Sequence, residues 1–235
     1  MKTLCIIPAR GGSKRIPRKN IRPFLGTPII AYSIRAAQES GLFDAVMVST
    51  DDTEIAEVAG QYSAEVPFLR SPETATDYAT TAAVLTEVIR TYAERGQLFD
   101  RVCCLYATAP FVTADKIRAA FDKLESGGFD TVFPVVRFGF PVQRAVIFRH
   151  DKLAWLQPDH ALTRSQDLPP AFHDAGQFYV FNAGRFLETG QLLTQNTGGL
   201  EISELEAQDI DTLTDWQLAE LKVKLLAQQR GQDAD

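Results

Sequence analysis

Nothing in these 235 residues approaches the roughly 20 consecutive apolar side chains that a membrane-crossing helix needs, so no spanning helix is expected. The opening residues Met1 to Ile7 imitate the start of a secretion signal, but Pro8 and Arg10 interrupt the apolar core after about four residues. Cysteine is scarce. Cys5, Cys103 and Cys104 are odd in number, lack metal-ligand spacing and sit in apolar runs, which excludes a disulfide framework and fits a reducing compartment. They read as small core residues rather than nucleophiles. Internal repeats and low-complexity segments are also missing, and only Arg230 to Asp235 reads as a frayed tail. With 45% hydrophobic and 23% charged residues, fibrous and disordered classes are excluded, and the expectation is one soluble, cytoplasmic globular domain spanning 1–235.

One further absence is local. No acid occurs in residues 1–38, which carry eight Lys or Arg, so the net charge of −6 divides into +8 for this segment and −14 for the rest. An acidic protein is a poor general binder of nucleic acid, whereas one compact basic loop suits a small polyphosphate.

The remaining pattern alternates strands and helices. Residues 3–7, 45–49, 66–69, 101–106, 131–136, 178–182 and 200–203 read as strands. Helices are expected from Pro28 to Gly41, over 54–62, 80–94 and 113–124, near Phe186 and over 216–228. Such alternation predicts an α/β fold, a Rossmann-like and mainly parallel sheet sandwiched by helices, with ligands bound beyond the carboxyl ends of the strands. Between 137 and 170 the pattern breaks into short strand-like pieces carrying Phe138, Phe140 and Trp155, which suggests a small β-rich insertion serving as a dimerisation arm.

The loop from Pro8 to Asn20, PARGGSKRIPRKN, follows a strand and precedes a helix. Gly11 and Gly12 let backbone amides approach phosphate oxygens, while Arg10, Lys14 and Lys19 can neutralise a triphosphate. Neither GxxxxGK[ST] nor GxGxxG is present. A solvated basic loop is the plain alternative; an RGG-type nucleic-acid patch is disfavoured because aromatic residues are not interleaved. Near the other end, Asp209 and Asp211 lie at i and i+2, so in an extended segment both carboxylates point the same way, as for a cation site or simply an acidic turn before the last helix.

The string IPARGGSKRIPRKN resembles the nucleotide-binding loop of the N-acylneuraminate cytidylyltransferase family. Ser49-Thr50-Asp51-Asp52, Arg70-Ser71-Pro72-Glu73, Arg164-Ser165-Gln166-Asp167-Leu168-Pro169 and Asp209-Ile210-Asp211-Thr212 resemble further family segments in the same order. Leu105-Tyr106-Ala107-Thr108-Ala109-Pro110 departs from the L-Q-P-T-S-P of the sialic acid enzymes. With Phe172-His173-Asp174-Ala175-Gly176-Gln177-Phe178-Tyr179, it looks most like the branch acting on pseudaminic acid. The resemblance implies a nucleotide-diphospho-sugar transferase type of fold and transfer of CMP from CTP to the anomeric hydroxyl of a nine-carbon 2-keto sugar acid, with Mg2+ as cofactor. Independently of it, the hydrophobics of the 137–170 segment lead to the expectation of a homodimer, against packing of that segment on its own domain. N-acetylneuraminic or legionaminic acid as substrate, and a non-catalytic nucleotide-binding protein, are the alternatives.

Under this resemblance Arg10, Lys14, Lys19 and Asp211 are the catalytic candidates. Ala9, Arg10, Gly11, Gly12, Ser13, Asn20, Arg70 and Ser71 are assigned to the nucleotide, and Asp209 and Asp211 to the metal. Tyr106, Arg144, Arg164, Gln166, His173, Gln177, Phe178 and Tyr179 are assigned to the sugar. Arg164 is the candidate for its carboxylate, against an ordinary surface salt bridge. His173 and Asp174 form either an orienting pair or an exposed one. The proton acceptor for the sugar hydroxyl stays open between Asp211 and metal-activated water.

Overall fold

The computed structural model describes residues 1–232, so Asp233 to Asp235, the end of the expected tail, lie outside the described residues. Strand β1 (Thr3–Pro8) runs to the basic loop, and a small hairpin of β2 (Pro23–Phe24) and β3 (Thr27–Pro28) leads into helix α1 (Ile30–Ser40). There follow β4 (Ala45–Ser49), α2 (Thr53–Gln61), α3 (Thr81–Glu94), β5 (Arg101–Leu105), α4 (Ala114–Gly127) and β6 (Thr131–Arg137). A second hairpin, β7 (Val146–Arg149) and β8 (Lys152–Trp155), precedes β9 (Phe172–Asp174), β10 (Phe178–Asn182), α5 (Ala183–Thr189), β11 (Thr197–Ile202) and α6 (Leu213–Gln232).

The main sheet has the order β11-β6-β10-β5-β1-β4. β1 is parallel to both β4 and β5, and β11 is parallel to β6. β10 enters between β5 and β6 antiparallel to both, so the sheet is mixed with a parallel core. β9 pairs antiparallel with β6 beyond the β10 pairing, and the chain bends between β9 and β10 where Gly176 adopts φ +64°.

Alternation along the strands divides the core. Cys5, Ile7, Cys103 and Leu105 face α1 and α4, packing with Ile30, Ile34 and Phe121. Leu4, Ile6, Val102 and Cys104 face the other way, toward Leu85, Val88, Phe181 and Phe186. All three cysteines are buried, and burial pushes the thiols of Cys103 and Cys104 upward, as inert core residues require.

Helix boundaries follow side-chain caps. Asp52, Thr80, Thr113 and Asn182 each accept a hydrogen bond from the first turn of their helix, and Gly41 and Gly128 end theirs in the left-handed region. Two expectations need correction. Pro28 does not open α1: it pairs with Pro23 across a two-residue turn in which Leu25 and Gly26 both have positive φ, and the helix begins at Ile30. No strand forms over 66–69. Glu65 alone bonds to Val46 and Val48 of β4, and Pro67, lacking an N–H, cannot extend the ladder.

Candidate active site

The basic loop leaves the carboxyl end of β1 and is pinned by one apolar side chain. Ile16 is buried with Phe24, Ile29, Phe111, Trp216 and Ile210. Because Ile210 lies between Asp209 and Asp211, this cluster draws the acidic segment against the basic loop from 194 positions away. Lys19 completes the junction, donating to the Ile210 carbonyl at 2.7 Å with its ammonium 3.6 Å from Asp211. Arg15 pairs with Asp211 at 2.8 Å. Desolvation raises the Asp209 carboxyl above its ordinary range, and the adjacent charge of Asp211 adds to the effect.

The cleft beside this junction, about 220 Å³, is lined by Pro8, Arg10, Ser13, Lys19, Asn20, Arg70, Ala79, Thr81, Val84, Tyr106, Ala107 and Thr108. Asn20 is buried and donates to the Arg10 carbonyl at 2.9 Å, fixing the turn of the loop. Arg70 is also buried, reaching the Ser49 carbonyl at 2.7 Å and the Ser49 hydroxyl at 3.2 Å, and burial lowers its guanidinium pKa. Arg70 therefore enters the cleft from a mount on the end of β4.

Of the two glycines, packing requires only Gly11. A Cβ on Gly11 would lie 2.5 Å from the Asp52 carboxylate, so the close crossing of the loop over the start of α2 excludes other residues there. The amides of Ala9 and Gly11 are already committed, to the Ser49 carbonyl at 2.9 Å and the Asp51 carboxylate at 2.9 Å, and so leave the set expected to meet phosphate. Gly12 retains open space for a side chain except for Arg10 at 3.9 Å. Ser71 turns away from the cleft, with its amide and hydroxyl 2.8 and 3.2 Å from the Glu87 carboxylate.

Asp77 and Glu54, which nothing in the sequence singles out, and Asp52 of the Ser49–Asp52 segment hold the remaining cations. Asp77 pairs with both Arg10 and Lys14, one oxygen each. Hydrogen bonds from Lys14 and Arg10 hold its carboxyl down at about 2. Asp52 takes a two-pronged contact from Arg18, with nitrogen-oxygen separations of 2.5 and 2.9 Å, and Arg18 also reaches Glu54. The Arg18 guanidinium lowers the Asp52 carboxyl from 3.8 to about 2. A folded-state value below the unfolded one contributes stability that is complete above about pH 4 and is lost as pH falls through about 2. Asp52→Asn, which preserves a cap for α2, is therefore expected to cost about 1 kcal/mol at pH 7 after allowance for solvent screening, and nearly nothing below pH ~2. Urea denaturation of both proteins across that pH range measures it.

The sugar candidates separate into two groups. Tyr106 lines the cleft, with its hydroxyl 3.3 Å from Thr81, and Tyr179 meets it edge-on at 5.9 Å between ring centres. Tyr179 donates to Asp174, and burial raises its phenol pKa well above the ordinary value. Gln177 is buried, its side-chain amide donating to the Glu206 carbonyl at 2.6 Å. Phe178 is removed from the sugar set: it is 0% exposed, packed in the α1/α4 face of the core, because adjacent residues of β10 point to opposite faces. No His173–Asp174 orienting pair forms. The imidazole Nδ1 lies 2.9 Å from the Asp174 carbonyl, while that carboxylate accepts from Tyr179 and from the Gly176 amide at 2.8 Å.

Arg144, Arg164 and Gln166 sit on the 137–170 segment. Arg164 forms an exposed salt bridge with Asp167 at 2.7 Å, and Arg144 reaches Ser165 at 3.4 Å beneath Trp155. Gln166 lines a second cleft of about 450 Å³ with Phe138, Phe140 and Pro169, distinct in its lining from the first.

Residues 4–222 match a family model described as cytidylyltransferase. The chain is 42% identical over 226 residues to a pseudaminic acid cytidylyltransferase of Campylobacter jejuni subsp. jejuni serotype O:2, covering 96% of this chain and 97% of the relative. It is 33% identical over 228 residues to a CMP-N,N'-diacetyllegionaminic acid synthase of Legionella pneumophila subsp. pneumophila, covering 96% and 97%. Its fold is similar to that of CMP:2-keto-3-deoxy-manno-octonic acid synthetase solved with CTP, with a TM-score of 0.70, 16% identity and coverage of 97% and 100%.

Proposed function

The chain belongs to the cytidylyltransferase family, and from that premise we propose that it transfers CMP from CTP to the anomeric hydroxyl of a nine-carbon 2-keto sugar acid, specifically pseudaminic acid. The observation that carries the reading is the junction of the cationic loop with the Asp209/Asp211 segment at the open end of the parallel strands. A nucleotide binder has use for the loop alone; a transferase that expels pyrophosphate has use for both halves.

The reaction joins the sugar oxygen to the α-phosphorus and breaks the bond from that phosphorus to the oxygen bridging it to the β-phosphorus, whose electron pair leaves with pyrophosphate, while the hydroxyl proton passes to a base, Asp211 or a water. Positive charge held where that anion develops lowers the barrier. Lys19 is the candidate for this role because its ammonium is half-buried and fixed by the Ile210 carbonyl, while Arg10 and Lys14 extend the cationic surface outward. Asn20, Arg70, Thr81 and Tyr106 line the space assigned to the nucleoside and the near part of the sugar.

Asp209 and Asp211 fit Mg2+. They supply two oxygen donors, and a cation there would offset both the desolvation that raises Asp209 and the adjacent charge of Asp211. Among the described residues no third carboxylate, histidine or cysteine joins them, so the rest of the coordination would come from phosphate and water oxygens. Bound there, the metal would neutralise phosphate charge and orient the triphosphate. We further propose that the enzyme acts in the cytoplasm, without nucleic-acid or membrane partners, as a homodimer joined through the 137–170 arm. Its exposed Phe140, Phe148 and Leu153 support that contact.

Pyrophosphate release from CTP and Mg2+ with a panel of sugar acids tests the reading. Pseudaminic acid is expected to exceed N,N'-diacetyllegionaminic and N-acetylneuraminic acids by about tenfold or more in kcat/KM, and chelation of the metal is expected to abolish turnover. Release with neuraminate alone would overturn the choice of sugar, and CTP binding without turnover of any sugar would overturn the enzymatic reading.

A further inference from the structure

We infer that Asp77 is an internal stand-in for phosphate: it occupies Arg10 and Lys14 in the free protein and is displaced when a polyphosphate binds there. The inference rests on the cytidylyltransferase reading of the cleft. Its basis is how the loop's cations are shared out. Arg18 is committed to Asp52 and Glu54, Arg15 to Asp211, and Lys19 to the Ile210 carbonyl and Asp211. Arg10 and Lys14 are joined through a single carboxylate, one oxygen to each, which is the bridging that two oxygens of a phosphate would perform.

The segment carrying Asp77 is built to release. At one end Ser71 and Thr74 are fastened to Glu87, and Arg70 to β4. At the other, Thr80 caps α3. Between these anchors the backbone contacts are local, from Ala75 to the Ser71 carbonyl and from Ala79 to the Thr76 carbonyl at 3.4 Å, and Tyr78 is 95% exposed. The ion pairs of Asp77 are thus what ties the middle of the segment to the basic loop. Ala79 lines the cleft, so movement of the segment reaches the nucleotide space.

Displacement gives Asp77 a selective role. A ligand that engages Arg10 and Lys14 must compete with the carboxylate, and its apparent affinity falls by the fraction of molecules in which those cations are free. A ligand confined to the nucleoside part of the cleft meets no such competition. After transfer, the same carboxylate returns to the cations and favours departure of pyrophosphate. Asp77 acts through Arg10 and Lys14 and is a positioning residue.

Calorimetric titration of the wild type, Asp77→Asn and Asp77→Glu with pyrophosphate, CTP and cytidine tests this. If about nine molecules in ten are latched, Asp77→Asn is expected to bind pyrophosphate and CTP about tenfold more tightly, with cytidine unchanged and Asp77→Glu close to wild type. Unchanged or weaker pyrophosphate binding in Asp77→Asn overturns the inference, as does equal tightening toward cytidine, which would signal general loosening of the cleft. A wild-type protein that binds neither CTP nor pyrophosphate overturns the cytidylyltransferase reading itself, and this inference with it. Hydrogen exchange on the wild type keeps the test independent of how the variant folds: amides of residues 75–79 are expected to exchange faster with saturating pyrophosphate, and slower or unchanged exchange overturns the displacement.

Discussion

Lys19→Ala is expected to lower kcat/KM for CTP by about 10²- to 10³-fold, the scale seen when one preorganised group facing a developing oxyanion is removed. Lys14→Ala is expected to lose about tenfold or less. The difference comes from surroundings and not from residue type. The Lys14 side chain is 81% exposed, so water and salt screen its charge and its long stem is ordered mainly by Asp77. The Lys19 side chain is 21% exposed, lines the cleft and is held by the Ile210 carbonyl at 2.7 Å, so its charge acts through less water and needs little reorganisation during the reaction. Its removal also takes away a cation near Asp211 and leaves that carboxylate and Asp209 with less compensation. The loss should therefore fall mainly on kcat for Lys19→Ala and mainly on KM for Lys14→Ala. Steady-state pyrophosphate release across CTP and salt concentrations separates them: rising salt should weaken CTP binding through Lys14 and leave the Lys19 effect in place. Equal losses in the two variants would remove Lys19 from its special position.

The sequence exposed the parts of this arrangement that depend on local rules. Most apolar strands, the helix starts at Asp52, Thr80 and Thr113, and the stop at Gly41 are each decided within a few residues and stand where local pattern places them; the strand expected over 66–69 and the start of α1 at Pro28 are the exceptions. The charge division points to the basic loop for the same reason, since five of the eight cations in residues 1–38 fall within Pro8 to Asn20. Partners distant in sequence were hidden. Nothing around Asp77 distinguishes it from a polar turn residue until the fold carries it to Arg10 and Lys14. Likewise Ile16 and Ile210 are ordinary apolar residues whose packing, 194 positions apart, makes one site of two oppositely charged segments. The insertion of β10 antiparallel between β5 and β6 was obscured because periodicity gives no strand direction. The two-residue hairpin before α1 shows the opposite limit: Pro28 suits a helix start by local rules, and the pairing with Pro23 across Leu25-Gly26 overrides them.

Phe178→Ala is expected to destabilise the fold by about 3–5 kcal/mol, against a total of roughly 5–15 kcal/mol for a domain of this kind. The ring has no exposed surface and sits opposite Leu105 in the strand pairing, within the cluster that joins the sheet to α1 and α4. Truncation leaves a cavity where the parallel core meets the antiparallel insertion, a place that cannot collapse without shifting β5 or β6. Phe178→Leu keeps more volume and is expected to cost less than the alanine, while leaving KM for the sugar unchanged. Tyr179→Phe probes the opposite face of the same strand. It removes the hydroxyl that donates to Asp174 and is expected to cost about 1 kcal/mol of stability, and by freeing the ring beside Tyr106 it should alter the sugar KM. Urea midpoints and sugar saturation curves for the three variants distinguish a residue of the α1/α4 core face from one that packs against the cleft residue Tyr106. A stable Phe178→Leu protein with a raised sugar KM would return Phe178 to the substrate site; an unchanged KM with a lowered midpoint would establish that residues 178 and 179, adjacent in sequence, divide support of the sheet from service to the cleft because a strand sends neighbouring side chains to opposite faces.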